Sequence, residues 1–136
     1  MILRAMVALP ILQIIFYLAV MFAPVGAKSL ALTAGWNQKI TWTLQADGTW
    51  RGTNATGEDM GAWSAKDGKV SVTRDSKTET TSVAEFVKVE TAADKTKTAT
   101  VQGKPLEVKT SENGDINFSQ PGEGLFTRTM TITPGK

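Results

Sequence analysis

The stretch Ile40-Thr41-Trp42-Thr43-Leu44-Gln45-Ala46-Asp47-Gly48-Thr49-Trp50-Arg51 decides the fold class. It does so together with Gly61-Ala62-Trp63-Ser64-Ala65-Lys66-Asp67-Gly68-Lys69-Val70-Ser71-Val72, which lies beyond a polar loop. Each stretch alternates apolar and polar residues around an Asp-Gly pair, the pattern of a β-hairpin. Three of the chain's four tryptophans stand on these two hairpins. The registers follow from the faces, because a slip of one residue turns a whole strand over. Ile40, Trp42 and Leu44 point one way, and Trp50 joins them if the loop is Ala46-Asp47-Gly48. That loop sets Leu44 opposite Trp50 and Trp42 opposite Gly52, with Gly48 in the left-handed region. A two-residue type I′ turn at Asp67-Gly68 sets Ala65 opposite Val70 and Trp63 opposite Val72. Gly52, facing Trp42, leaves room for an indole.

The same reading runs downstream. Lys28 to Gln38 is an approach to the first strand, with Gly35-Trp36 in it. Arg74 to Thr81 is charged and threonine-rich and reads as a loop or strand extension. Ser82 to Thr91 reads as one strand, with Val83, Val87 and Val89 on one face, interrupted by Glu85 as at an edge or bulge. Thr96–Val101 and Pro105–Thr110 follow. A three-residue loop, Glu112-Asn113-Gly114, then sets Thr110 opposite Ile116 and Val108 opposite Phe118. Leu125 to Thr133 is the last strand, with Phe126, Met130 and Ile132 sharing a face. The expected fold is all-β: an antiparallel meander of eight or nine strands, a small barrel or a sandwich.

Residues 1–27 form a separate unit ahead of a single β-domain, 28–136. After Arg4 comes an apolar run from Ala5 to Ala27 in which Gln13 is the one strongly polar residue. As a signal peptide, Arg4 is its positive region and Val25-Gly26-Ala27 its small-residue cleavage site. As a membrane anchor, the run would span ~34 Å as a helix at ~1.5 Å per residue, enough for a bilayer core. Both readings put Arg4 inside and export the β-domain, to the periplasm or the cell exterior. Under either, residues 5–24 are expected to be helical in the membrane and to make few contacts with the β-domain. A buried core helix is the third reading of the same residues.

Composition narrows the chemistry. The chain holds no cysteine and no histidine. This removes Ser-His-Asp and Cys-His catalysis and nearly all zinc, haem and iron–sulfur ligation. Arg4 is the one charged residue before Lys28, so the β-domain carries fourteen basic residues against thirteen acidic ones. Nothing in that balance makes a nucleic-acid surface. No phosphate-binding loop, calcium loop or other metal or cofactor motif is present. Paired carboxylates such as Glu85 and Glu90 read as solvent-facing strand residues, so no enzyme is expected. Trp42, Trp50 and Trp63 read first as core, and they are also the candidate ligand-binding residues.

The succession of Trp42, the Asp47-Gly48 turn, Trp50, Gly61-Ala62-Trp63 and the Asp67-Gly68 turn resembles lipocalin-like small β-domains of exported bacterial proteins. The resemblance covers about a third of the chain and implies a meandering barrel with an apolar interior. The expectation is an exported, non-enzymatic binding or accessory domain, such as a subunit of a membrane-associated assembly. The alternative is a lipocalin-like carrier of a small apolar ligand. The expected partner is accordingly a protein or a small apolar ligand, with membrane contact through residues 5–27 if that segment is retained.

Overall fold

The three-residue and two-residue turns anticipated from the sequence set the register of the sheet. A computed structural model describes residues 11–34, 39–119 and 130–135. Strands β1 (Ser29–Ala34), β2 (Lys39–Leu44), β3 (Trp50–Asn54), β4 (Asp59–Lys66), β5 (Lys69–Arg74) and β6 (Lys77–Ser82) form its first half. Strands β7 (Val87–Thr91), β8 (Lys97–Val101), β9 (Lys104–Thr110), β10 (Ile116–Ser119) and β11 (Met130–Gly135) form its second. Leu44 pairs with Trp50 and Trp42 with Gly52. Trp63 pairs with Val72 and Ala65 with Val70. Thr110 pairs with Ile116 and Val108 with Phe118.

One loop design recurs. In the β2–β3 hairpin, Gln45 N–H donates to Thr49 O at 2.8 Å and Gly48 N–H to Gln45 O at 3.0 Å. Gly48 has φ +90°. Asn54/Glu58, Ala92/Thr96 and Ser111/Asp115 close three-residue loops in the same way. The side chain of Asp47 accepts from Thr49 N–H, that of Asp94 from Thr96 N–H, and that of Asn113 from Asp115 N–H. A short carboxyl or amide side chain that satisfies the backbone two residues on is what favours Asp and Asn in such turns. At Asp67-Gly68 both residues have positive φ, 51° and 75°, as a type I′ turn requires.

All pairings are antiparallel, and the strands form one sheet in the order β6-β5-β4-β3-β2-β1-β11-β10-β9-β8-β7. Every neighbour in it is a sequence neighbour except β1 and β11, which join the two halves along Ser29–Ala34 and Met130–Gly135. β6 and β7 are its two edges and are not paired with each other. The sheet is therefore not closed by hydrogen bonds.

The structure corrects several expectations. There are eleven strands among the described residues, not eight or nine. Leu30 and Leu32, in the supposed approach segment, are buried on β1. Arg74 to Thr81, a loop or strand extension by its sequence, turns at Asp75-Ser76 and returns as β6. Ser82–Thr91 is not one strand. A 3-10 turn at Val83–Glu85 comes first, with Val83 buried and Ala84 N–H donating to Gly68 O at 3.0 Å. Its Val83–Glu85 step carries the chain from one edge strand to the other. Leu44, expected inward, is 37% exposed at the hairpin end. Gly35-Trp36 and residues 120–129, including Phe126, lie outside the described residues.

The largest correction is at the N-terminus. Helix α1 (Ile11–Phe22) does not stand apart from the β-domain. Its Ile14, Ile15, Phe16, Leu18 and Ala19 are at most 1% exposed and join one core cluster with residues of nine strands. The expectation of few contacts fails for a physical reason: an all-round apolar helix is as well matched to an apolar sheet face as to lipid. Among the described residues no helix is long and apolar enough to cross a membrane.

Two predictions follow from these turns and their carboxylates. Replacing Gly48 by Val should destabilise the protein by about 1–2 kcal/mol through left-handed strain, measured by urea denaturation. Hydrogen bonds from Thr49, first its hydroxyl and then its N–H, hold the Asp47 carboxyl below its ordinary range. Asp59 is lowered first by Arg51 and then by Gly61 N–H, and Asp94 by Thr96 N–H and hydroxyl. A carboxylate whose folded pKa is depressed contributes stability above its unfolded value, lost as pH falls through the folded one. The midpoint of thermal unfolding should therefore drop below about pH 4, and Asp59→Asn should flatten that drop. An unchanged acid slope in the variant would remove Asp59 from the account.

Candidate functional site: the apolar face beneath the N-terminal helix

Alternation on β2 and β4 places Trp42 and Trp63 on the same face of the sheet, where α1 lies. Trp42 is fully buried and Trp63 is 3% exposed. Phe16 of α1 stands between them, with ring centroids 5.2 Å from Trp42 and 5.3 Å from Trp63. The two indoles are themselves 5.5 Å apart, edge to face. Such aromatic pairs add about 0.5–1.5 kcal/mol each beyond the area they bury. At the other end of α1, Phe22 meets Phe118 of β10 edge-on at 5.6 Å. There Lys97 Nζ donates to Met21 O at 2.6 Å. It satisfies one of the carbonyls that every helix C-terminus leaves without an intrahelical partner.

Glycine and a bulge make room for the indoles. A Cβ at Gly52 would lie 3.1 Å from Trp63 Nε1 and 3.3 Å from Trp42 Cδ1, tighter than side chains normally pack. Across from Gly52 the register slips, so that Met60 of β4 is the extra residue of a β-bulge before Gly61. Met60 O then accepts the Trp63 indole N–H at 2.8 Å. Arg51 and Asp59 form a bidentate ion pair on the outer face beside the bulge, with Arg51 Nε donating to Asp59 Oδ1 at 2.7 Å. Both side chains are about half exposed.

The two buried indoles differ in one respect. Trp63 has its acceptor, whereas Trp42 Nε1 is buried with no hydrogen-bond partner among the described residues. Buried donors are nearly always satisfied, and leaving one unmet costs about 1–3 kcal/mol. A cleft of about 260 Å3 opens beside this cluster, lined by Leu12 and Gln13 of α1 and by Met60, Trp63, Val72, Arg74, Lys77 and Glu79 of the sheet.

Of the three tryptophans proposed from the sequence, the structure brings Trp42 and Trp63 together. Trp50 pairs with Trp63 across β3–β4 and is half-buried. Sequence reasoning missed Phe16, because residues 5–24 were read as leaving the domain. It also missed the Met60 bulge, for which Gly61 so close to Trp63 was the available sign. Among the described residues no group of acidic side chains is placed to hold a metal ion. No protein family, curated protein or solved structure matches the chain.

Alanine at these positions should separate core from periphery. Trp42→Ala and Trp63→Ala should each cost roughly 3–5 kcal/mol in denaturant unfolding, and Trp50→Ala clearly less. Equal, small losses at all three would place the indoles outside the cooperative core.

Proposed function

We propose that this chain is an exported, non-enzymatic binding or accessory domain, suited to serve as a subunit of a membrane-associated assembly. The observation that carries the reading is the apolar face shared by Trp42, Trp63, Leu30, Ile40, Phe118 and Ile132, which takes up a long apolar body supplied by the N-terminal segment. The absence of histidine and cysteine from the sequence leaves this face without the usual nucleophile–base pairs. The apolar run from Ala5 to Ala27, led by Arg4, is the basis for export. On this reading the domain resides in the periplasm or outside the cell, and a tether through residues 5–27 would require α1 to leave the sheet face on which it packs.

A second reading has its own observation. The unpartnered Trp42 donor, set in an apolar face, favours a carrier of a small apolar ligand, with Trp42, Trp50 and Trp63 as the contact residues. It carries with it the lipocalin-like resemblance and a sheet that acts as a small barrel, open between β6 and β7. Cleavage after Ala27 would remove α1 from the core and leave that face to be filled by something else.

Intact mass of the protein recovered from its native cells, fraction by fraction, tests export. A chain beginning at Lys28 in the exported fraction is the processed form. Replacing Ala27 with Trp should then block processing and leave the protein membrane-bound. A full-length chain that sediments with membranes and resists high salt is the tethered form, which Ala27→Trp should not change. Full-length protein in the cytosol with Met1 attached would overturn the export reading in both forms.

A further inference from the structure

We infer that the Ala27–Lys28 bond is a processing site that the fold itself closes. Once α1 packs on the sheet, the bond is out of reach of a leader peptidase, so processing and folding with α1 in place are alternative fates of one chain. The inference rests on the processed form of the export reading. It deepens that reading by naming what decides whether residues 1–27 are removed.

The chemistry of the step sets the requirements. Val25-Gly26-Ala27 is the small-residue sequence that such a peptidase reads before the bond. The peptidase adds water across the bond, leaving a carboxylate on Ala27 and an amino group on Lys28. To do so it holds the chain extended. The backbone N–H and C=O groups around the bond, and the alternate side chains, must be free for its own cleft and pockets.

The fold withholds each of these. Before the bond, Ala27 N–H donates to Pro24 O at 3.2 Å and Gly26 has φ +92°, so Pro24–Ala27 is a closed turn rather than an extended segment. The Ala27 side chain is half-buried and packs against the core cluster. After the bond, Lys28 N–H donates to Gly135 O at 2.7 Å, and Lys28 O accepts from Leu44 N–H at 2.8 Å. The nitrogen that would leave is therefore tied to one neighbouring strand, and the carbonyl of its own residue to the other. From Ser29 onward the chain is β1, paired with β2 on one side and β11 on the other.

Exposure alone does not give access here. Pro24, Val25 and Gly26 are exposed, and exposed turns are where chains are usually nicked. Both ends of this turn are held, however. On one side α1 is pinned by Ile14, Phe16 and Leu18, each wholly buried. On the other, β1 lies inside the sheet. Opening the site means pulling Lys28 from two strands and drawing α1 off its face. These are contacts of the cooperative core, so the folded chain is cut only through a rare open form. Gly135 lies at the far end of the described sequence. Its half of the closure forms only after the strands between have been made, which leaves the peptidase an interval before folding.

The test uses the purified full-length chain, an excess of bacterial leader peptidase in non-denaturing detergent, and intact mass as the readout. A leader-bearing control protein in the same tube reports that the peptidase is active. Two open substrates are compared with the folded chain. One is wild type diluted from urea straight into the peptidase. The other is Trp42→Asp, which would bury an unpaired charge and so cannot close the fold. Both should be converted to the form beginning at Lys28. Chain folded beforehand should be converted at least about a hundredfold more slowly, and its Lys28 amide should be protected from hydrogen exchange. Gly26→Ala adds a Cβ with nothing within 4 Å, so it strains only the left-handed backbone of the turn. It should speed cleavage of the folded chain several-fold and leave the urea-diluted rate unchanged. Equal rates for folded chain and open substrates would overturn the inference and leave the export reading intact, as would free exchange at Lys28. Cleavage of none of them at Ala27–Lys28 would overturn both the inference and the processed form of that reading, without touching the tethered form.

Discussion

The packing of α1 on the inner face of the sheet is the constraint on which the rest of the structure depends. Phe16 wedged against Trp42 and Trp63 closes one end, and Phe22 against Phe118 the other. Five side chains of the helix are almost wholly buried. At about 1.5–3 kcal/mol for each of Ile14, Ile15, Phe16 and Leu18, their burial is comparable to the ~5–15 kcal/mol by which a typical domain is stable. Without that helix, or a substitute, the large apolar face of the sheet would meet water. The same contact explains smaller details: the glycine at 52, the Met60 bulge and the lysine at 97 all accommodate the helix or the indoles against it.

The sheet manages its ends by composition. β6, Lys77–Ser82, is exposed over its first four residues and carries lysine, glutamate and threonine. Its hydroxyls pair across the strands, Thr78 with Thr73 and Thr80 with Ser71. β7 presents Lys88 and Glu90 outward. Charge and short polar side chains on an edge discourage further strand pairing. Between the two edges the 3-10 turn sets Val83 into the core. Gly68 allows that approach, since a Cβ there would lie 2.9 Å from Ala84 Cβ. The two halves meet in the middle of the sheet, where the first strand pairs with the last and Lys28 N–H donates to Gly135 O at 2.7 Å.

The site inherits its character from this arrangement. Aromatic residues from adjacent hairpins converge because their strands alternate in phase, and one of the two indole donors is met locally by the bulge. The other, Trp42 Nε1, is buried without a hydrogen-bond partner among the described residues.

What the sequence by itself determined is local. The registers at Leu44/Trp50, Trp63/Val72 and Val108/Phe118 were legible because turn residues and side-chain alternation act over a few residues. The all-β character and the shared face of Trp42 and Trp63 followed from the same alternation. Strands β1 and β6 were not legible, because Leu30-Ala31-Leu32 is too short a pattern and Lys77–Ser82 has no apolar face. The break at Val83–Glu85 was hidden because its valines keep an alternating rhythm across it. Only the tertiary structure decided the pairing of β1 with β11 and the place of the N-terminal helix. Both join surfaces far apart along the chain. An apolar helix specifies that its surface must be covered; whether lipid or a sheet covers it depends on what else the folded chain offers, and here Trp42, Trp63 and Phe118 offer a face that fits.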